Sequence, residues 1–513
     1  MNDWNAGYVA DVGYTYGYYD EMNPQRVPLA FLKAGLVYPK IETACELGFG
    51  QGFGINLLAA SSDIEWYGTD FNPAQASYAR ELAGIAGANA HISDQSFEEF
   101  CQREDLPDFD FIALHGVWSW ISDANRTIIV DFLRRKLKLG GILYISYNTL
   151  PGWSSFIPLR NLMMEHYRRL EAQGKGTNER VKGAMEFAQQ LLATDPVHAK
   201  AHPLIAERMK KLAGQNPDYL AHEYFNEDWH PMDFNAMEKW LAPAKLSFAC
   251  SASYLEHIDA LRHSPEQIAL LKEIPDQGVR EATRDIMVNQ QFRRDYWVRG
   301  ARSLTPLEQA ERLRDQHVQL IRPPQDVAYK VKSPLGEANL SEQVYRPIVE
   351  ALADYQSVNM AELEQRVKSS SVNIGQLFEA IIVLIGDSVV APVQAASAMA
   401  QSMQSSQNIN DHLLDLARSR SDTAHISSLA TGGGVACNRF ERLFLLARQE
   451  GKKKPAQWAK FAWQTMSSQG QLMIHEGKTL TTPEENQAAL LAAAEKFAEQ
   501  RLALLIALQV VAK

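Results

Sequence analysis

The stretch Glu46-Leu47-Gly48-Phe49-Gly50-Gln51-Gly52 stands where an apolar, strand-like run gives way to a helical pattern. Glycines at such a turn let the backbone approach a ligand closely, and the start of the helix offers N–H groups and a positive dipole end to a carboxylate. A dinucleotide fingerprint would need a third glycine where Phe53 stands, and a phosphate loop would need a Gly-Lys-Ser/Thr ending that does not follow. Glu46 is awkward beside a pyrophosphate but favourable beside a cationic amino-acid ligand. Two more acids close the next strand-like runs. Asp70 ends Glu65–Thr69, where a carboxylate can accept bonds from both hydroxyls of a ribose. Asp94-Gln95 follow Ala90–Ser93, where a side-chain acceptor can take the exocyclic amine of adenine. A cationic amino acid, a ribose and an adenine met at three successive strand ends point to S-adenosylmethionine as the cofactor, with Glu46, Gly48, Gly50, Gly52, Asp70, Asp94 and Gln95 as its contacts.

Methyl transfer from such a cofactor needs a deprotonated nucleophile held in line with the sulfonium, in a site that excludes water. His115 ends the fourth run, Phe109–His115, where an acceptor should meet the cofactor. It is read both as a cofactor contact and as a candidate to take a proton, against the alternative of a hydrogen-bonded structural histidine. The faces of Trp118, Trp120, Tyr147 and Trp153 can attract a sulfonium or an amine through cation–π contacts, or can simply be core. Tyr147 and Asn148 end the fifth strand beside the same mouth. The catalytic candidates are therefore His115, Trp118, Tyr147 and Asn148. Tyr147-Asn148 does not open the Asn/Asp-Pro-Pro-Tyr box of amino methylation on bases, which counts against a nucleobase acceptor. A further cluster, His222-Glu223-Tyr224 with Asp228, Trp229 and His230, is expected to cover the acceptor; its spacing matches no common zinc pattern, so no metal is expected. Tyr14, Tyr16, Tyr18 and Tyr19 read as a flap over the cofactor, with Tyr18 among its contacts.

The elements that would position these residues alternate. From Ile41 to Tyr147, strand-like runs at Thr43–Leu47, Glu65–Thr69, Ala90–Ser93, Phe109–His115 and Gly141–Tyr147 are separated by helical patterns, the mark of an α/β fold with a parallel sheet. After Pro151, Leu159, Leu162, Met163, His166 and Leu170 share one helical face and Val181, Met185, Ala188, Leu191 and Leu192 another, so 158–217 reads as a helical insertion. A helix at Met232–Leu241 and a strand at Lys245–Ser251 return the chain to the sheet, closing a first domain of 1–157 and 218–265. Beyond it, Glu281–Arg299 reads as helical. Helices at Val344–Asp354, Met360–Val367 and Ile374–Ile385, then a strand at Val389–Val393, give a winged-helix-like order to a middle unit of 266–393. Residues 394–408, rich in Ala, Ser, Gln and Met, read as a linker or an exposed helix. A helical unit of 409–513 follows, whose last helix is capped by Thr482 with Pro483 in its first turn and Glu485 completing a capping box.

The aromatic start Tyr14-Thr15-Tyr16-Gly17-Tyr18-Tyr19, the stretch His115-Gly116-Val117-Trp118-Ser119-Trp120 and the stretch Tyr147-Asn148-Thr149-Leu150-Pro151-Gly152-Trp153 resemble bacterial class I methyltransferases that carry a methyltransferase regulatory domain. The resemblance implies a Rossmann-like seven-stranded cofactor domain with a helical dimerisation insertion, followed by mainly helical middle and C-terminal domains. Some members are protein-lysine methyltransferases acting on a surface protein. It therefore implies a lysine acceptor and a homodimer built on 158–217, with methylation of a small molecule or surface-glycan precursor as one alternative and a non-catalytic binding or assembly module on the same fold, against which the intact glycines and acids count, as the other.

Composition bounds the rest. With 46% hydrophobic and 22% charged residues, the 513-residue chain has the balance of a folded protein large enough for several domains. A net charge of -10 argues against a nucleic-acid partner held by a general basic field. The patch Arg293, Arg294, Arg299 and Arg302, among Phe292, Tyr296 and Trp297, reads as a half-buried helix with a structural role. Cys45, Cys101, Cys250 and Cys437 are scattered without a metal or redox spacing. No run is long enough to span a bilayer and no basic start precedes an apolar run, so a cytoplasmic protein is expected.

Overall fold

A computed structural model describes residues 13, 15–172, 174–370, 372–475 and 477–511. Its centre is a seven-stranded sheet of β1 (Thr43–Leu47), β2 (Glu65–Thr69), β3 (Ala90–Ser93), β4 (Phe109–Leu114), β5 (Leu137–Asn148), β6 (Leu246–Ser251) and β7 (Phe292–Arg299), in the order β3-β2-β1-β4-β5-β7-β6. The first five strands run parallel, and β7 lies antiparallel between β5 and β6. The order reverses between β1 and β4. Crossovers leave the sheet in opposite directions there, so a crevice opens at the strands' carboxyl ends, where Rossmann-like sheets bind their ligands. The sheet is covered on both faces, and β4 is buried along its whole length, as a central parallel strand should be.

The strand β7 was read from sequence as part of a helix, and the first domain was expected to close at 265. The sheet instead takes in 292–299. Charge hid the strand: Arg293, Arg294 and Asp295 sit in a run whose alternation is clear only once both faces are known to be buried. Arg293 is buried and forked over three carboxylates. Its Nε lies 2.9 Å from Asp295, its Nη1 2.7 Å from Asp285 and its Nη2 3.1 Å from Glu281. The helix Gln277–Met287 supplies Glu281 and Asp285 one turn apart, and the guanidinium lies over the Phe234 ring at 4.7 Å. The structural role expected of this arginine cluster is what the geometry gives Arg293, on a strand and not a helix.

Between β5 and β6 the insertion folds as helices Ile157–Arg169, Thr177–Ala193, Leu204–Leu212 and Pro217–Tyr224, with a core of its own around Trp153, Phe156, Met163, Ala184, Met185 and Tyr224. The expected face is only partly inward: Leu159 and Met163 are buried while Leu162 and Leu170 are exposed. Past the sheet, helices Glu342–Ala351, Met360–Arg366 and Ile374–Gly386 pack with a three-stranded antiparallel sheet of His317–Leu320, Val358–Asn359 and Val390–Pro392, close to the helix-and-strand order read from sequence.

The segment read as a linker or an exposed helix is helical, part of the 21-residue helix Ala396–Leu416, but it is packed and not exposed along its whole surface. Its inward face is small and polar, including Ala398, Ser402 and Ser406, which is why no apolar stripe is visible in the sequence. Small residues let it lie close against the helices Phe53–Ser61 and Pro73–Ala86 of the sheet domain. Ser405 donates to the carbonyl of Ala60 at 2.8 Å and Asn408 to that of Ala86 at 3.2 Å. This contact explains why Phe53–Ser61 is almost wholly buried. The helix Pro483–Lys496, which runs on through a π turn into Leu502–Ala507, carries the Thr482–Glu485 capping box with both of its bonds. Among the described residues no helix is long and apolar enough to cross a membrane.

Candidate active site

β1 delivers Glu46 to the crevice, and the loop after it turns by alternation: Gly48, Gly50 and Gly52 have φ of +79°, +58° and +66°. At Gly52 a Cβ would lie 2.3 Å from that of Ala79. Glycine is required there to seat Phe53–Ser61 against Pro73–Ala86. Asp70, just past the end of β2, clamps this loop. Its Oδ2 accepts the Gly50 N–H at 2.8 Å and its Oδ1 the Asn72 N–H at 3.0 Å. Asn72 in turn caps the next helix through the Ala74 N–H at 3.0 Å. Each Asp70 oxygen retains a second lone pair. Burial lifts its carboxyl to about 6, with the two backbone bonds pulling the other way, so it is mainly ionised at neutral pH.

Glu46 is 5% exposed, and its Oε2 has no hydrogen-bond partner among the described residues. Burial, with the nearby Asp70 charge, pushes it up to about 8. A buried carboxyl with a free oxygen is stabilised by a cation placed against it. The adenine end is less open than the sequence reading assumed. Asp94 is paired with Arg80 at 2.6 Å, with its side chain 45% exposed. Gln95 is fixed by its backbone to the Thr69 hydroxyl and by its side chain to Arg103 at 3.4 Å.

The opposite wall of the crevice is built on Tyr19. Its ring stacks on His115 with centroids 3.6 Å apart, and His115 Nδ1 shares a 2.7 Å hydrogen bond with the Tyr144 hydroxyl. Burial, and the charge of Arg294, lower His115 to about 3. It is neutral at working pH and a poor match for taking a proton from an ammonium. Ser146 holds the turn after His115 through the Gly116 N–H at 2.8 Å. Asn148 ends β5 with its backbone N–H on Ser119 at 2.8 Å, while its buried Nδ2 finds no partner among the described residues.

Three of the sequence-assigned residues point elsewhere. Tyr147 stands on the opposite face of β5 from Tyr144, Ser146 and Asn148, as strand alternation requires. It is fully buried and donates to Asp295 at 2.9 Å. Trp118 is fully buried with the Trp240 ring 6.0 Å away, and its carbonyl accepts from Arg126 at 3.0 Å. Tyr18 turns away from the loop towards the C-terminal hairpin His425–Ser428/Gly433–Ala436. There Gly433 and Gly434 leave room for its ring, which any Cβ would strike, and the His425 ring is 5.2 Å away. Tyr16 packs on Tyr78 at 5.3 Å and beneath Arg420 at 4.4 Å. Tyr14 lies outside the described residues. Of the aromatic start, Tyr19 is the ring that faces the crevice.

Trp120 and Trp153 belong to the core of the insertion, and the Trp120 Nε1 donates to the Glu223 carbonyl at 3.4 Å. That bond ties the end of Pro217–Tyr224 to the segment after β4. Among the described residues no group of three or more metal-capable side chains gathers.

The residues present fit S-adenosylmethionine: an unpaired buried acid for its ammonium group, a glycine turn at a helix start for its carboxylate, and a clamped acid with free lone pairs for its ribose. The fit carries a proton signature. In the free protein Glu46 is mostly protonated below about pH 8. An ammonium beside it favours the carboxylate, so binding at pH 7 is expected to release roughly one proton, and affinity should rise with pH between about 6 and 7.5. Calorimetry in buffers of different ionisation enthalpy measures this. Glu46→Gln should abolish the release.

Comparison with known proteins agrees with this geometry. Residues 44–141 match the model of a methyltransferase domain, and 216–299 that of a predicted methyltransferase regulatory domain. The second match covers the last helix of the insertion, β6 and β7, the two strands that complete the sheet. An uncharacterised protein of the cyanobacterium Synechocystis is 39% identical over 507 residues, 98% of both chains. An uncharacterised protein of Rickettsia prowazekii is 30% identical over 199 residues, 38% of this chain and 77% of that one. The structure of PKMT2 from Rickettsia typhi, in complex with AdoHcy, shares the fold with a TM-score of 0.68 at 17% identity, covering 94% of this chain and 98% of that chain. The chain belongs to the S-adenosylmethionine-dependent methyltransferases that carry a methyltransferase regulatory domain.

Proposed function

We propose that this methyltransferase acts on the side-chain amine of a lysine in an acceptor protein. The observation that carries this reading is the charge of the crevice mouth. Glu223 is the charged group that bears most strongly on the Tyr19 hydroxyl, ahead of Glu46 and of the cation Arg294, and His115 is held neutral. Such a mouth favours a nucleophile that arrives as a cation over a phosphorylated or carboxylate-bearing metabolite.

When bound, S-adenosylmethionine supplies a methyl group on a sulfonium, which a lone pair displaces in line. Glu46 would hold the ammonium end, Asp70 the ribose, and Asp94 and Gln95 would lie beside the adenine. Tyr19 and His115 form an aromatic wall that excludes water from the amine, and Asn148 adds a buried amide at the same mouth. Loss of hydration lowers the pKa of a lysine in the direction transfer requires.

Two further features support a macromolecular acceptor. The C-terminal half is built onto the cofactor domain through Ala396–Leu416, and it forms a cavity of about 1340 Å³ with the middle unit, lined by residues such as Gln319, Tyr355, Asn410 and Trp458, none of which belongs to the crevice. The fold shared with PKMT2 from Rickettsia typhi likewise spans 94% of this chain and 98% of that chain, so it includes the added half. Leu162, Leu170, Val197 and Leu204, exposed on the insertion, suit the homodimer implied by the family resemblance, and four buried, unpaired cysteines suit a cytoplasmic setting. The test is to incubate the full-length protein and labelled cofactor with cell lysate and separate protein from small molecules. Label is expected in the protein fraction. Label confined to a sugar or metabolite would select the small-molecule or glycan-precursor alternative.

A further inference from the structure

We propose that Glu223, carried by the last helix of the insertion, is the group that binds the acceptor amine and takes its proton. This rests on the lysine reading and names the residue that serves it. The geometry places Glu223 well. Its backbone is tied to the mouth by Trp120, whose Nε1 donates to its carbonyl at 3.4 Å. Its carboxylate has no hydrogen bond or ion pair among the described residues, although it is only partly exposed. Tyr19 feels the charge of Glu223 more than that of any other charged group, and the same tyrosine stacks on His115 at 3.6 Å. Among the described residues, the titratable groups that feel Glu223 are Tyr19 from the N-terminal segment and Tyr219 and Tyr224 on its own helix; Arg208 acts on Tyr224 from the neighbouring helix. None supplies a compensating cation against the carboxylate. A lysine ammonium would.

The two candidate bases of the mouth differ in strength. His115 is depressed to about 3, whereas burial raises Glu223 to about 7. General-base efficiency is greatest when the pKa lies near the working pH, which selects Glu223. An N–H bond of the acceptor ammonium breaks and its proton passes to a Glu223 oxygen, leaving the nitrogen lone pair. That pair forms the bond to the methyl carbon as the carbon–sulfur bond breaks and its electrons return to sulfur. Glu223 then loses its proton to water. The protein starts and ends with the same charge.

The test uses the full chain with Glu223→Gln and Glu223→Asp, poly-L-lysine as methyl acceptor, and n-butylamine as a binding probe for the S-adenosylhomocysteine complex. Cofactor affinity by calorimetry is expected to stay within about twofold, which also reports that each variant folds. Transfer to poly-L-lysine should fall by about 100- to 1,000-fold in Glu223→Gln, and n-butylamine binding should weaken. The wild-type rise of kcat/KM with pH through about 7 should disappear, while Glu223→Asp keeps part of the activity and the pH limb. Unchanged transfer and an unchanged pH limb in Glu223→Gln would overturn the assignment and leave the lysine reading standing. A wild type that labels hydroxyl or carboxyl acceptors and not lysine would overturn both. Should the wild type label none of these acceptors, equal n-butylamine binding by wild type and Glu223→Gln overturns the assignment, and weaker binding by the variant supports it.

Discussion

Arg293→Met is expected to destabilise the protein by about 3–5 kcal/mol, the range for breaking a buried charged network by removing one partner. The arginine is buried against Asp295, Asp285 and Glu281, so its loss leaves three carboxyl groups facing one another away from water. Arg293→Lys should recover little, since a single ammonium cannot reach three carboxylates with the geometry of a guanidinium fork. The pH dependence has a definite sign. Burial already raises Asp285 to about 7 and Asp295 to about 6 with the arginine present. A carboxyl whose folded pKa is raised stabilises the fold below its unfolded pKa and loses that contribution as pH rises through the folded value. The variant's deficit should therefore be smaller near pH 5 than at pH 8, as read by urea unfolding at both.

Asp70→Ala and Gly50→Val are each expected to weaken S-adenosylhomocysteine binding by about 100-fold or more without unfolding the protein. Asp70 accepts two backbone N–H groups at 2.8 and 3.0 Å that shape the glycine turn. Hydrogen bonds to a charged group contribute about 1.5–3 kcal/mol each. Losing the turn's shape together with the ribose contacts exceeds about 3 kcal/mol, which is about 100-fold. At Gly50 a β-branched residue must adopt a φ of +58°, a strain of about 1–3 kcal/mol that the loop relieves by abandoning Asp70. Calorimetry on folded variants reads both, and wild-type affinity in either would remove the loop from the site.

The cofactor half of this arrangement was legible in the sequence because it depends on elements, not on facing. β1, β2 and β3 begin and end where their apolar runs do, and the acids that close β1 and β2 reach the crevice because parallel strands share one carboxyl end. The acceptor half was not legible. Residue type does not reveal which face of β5 a tyrosine occupies: Tyr147 and Tyr144 differ by an odd number of positions, and Tyr144 is the one that meets His115. Nor does an aromatic-rich start reveal that Tyr18 is wedged into a glycine hairpin more than four hundred residues later, leaving Tyr19 for the crevice. Glu223 lay in a cluster visible in the sequence, but nothing there separated it from His222 or Tyr224. Long-range packing decided these positions. The same holds for β7, whose charges satisfy one another only in the folded sheet, and for Ala396–Leu416, whose small residues gain meaning only from the helices they touch.

The most direct measurement is the chemical identity of the methylated atom. After the full-length protein transfers labelled methyl groups to an acceptor protein, complete acid hydrolysis and amino-acid analysis should place the label in ε-N-methylated lysine, stable to mild base. Label released by mild base as a volatile product, or recovered on any residue other than lysine, would contradict the account.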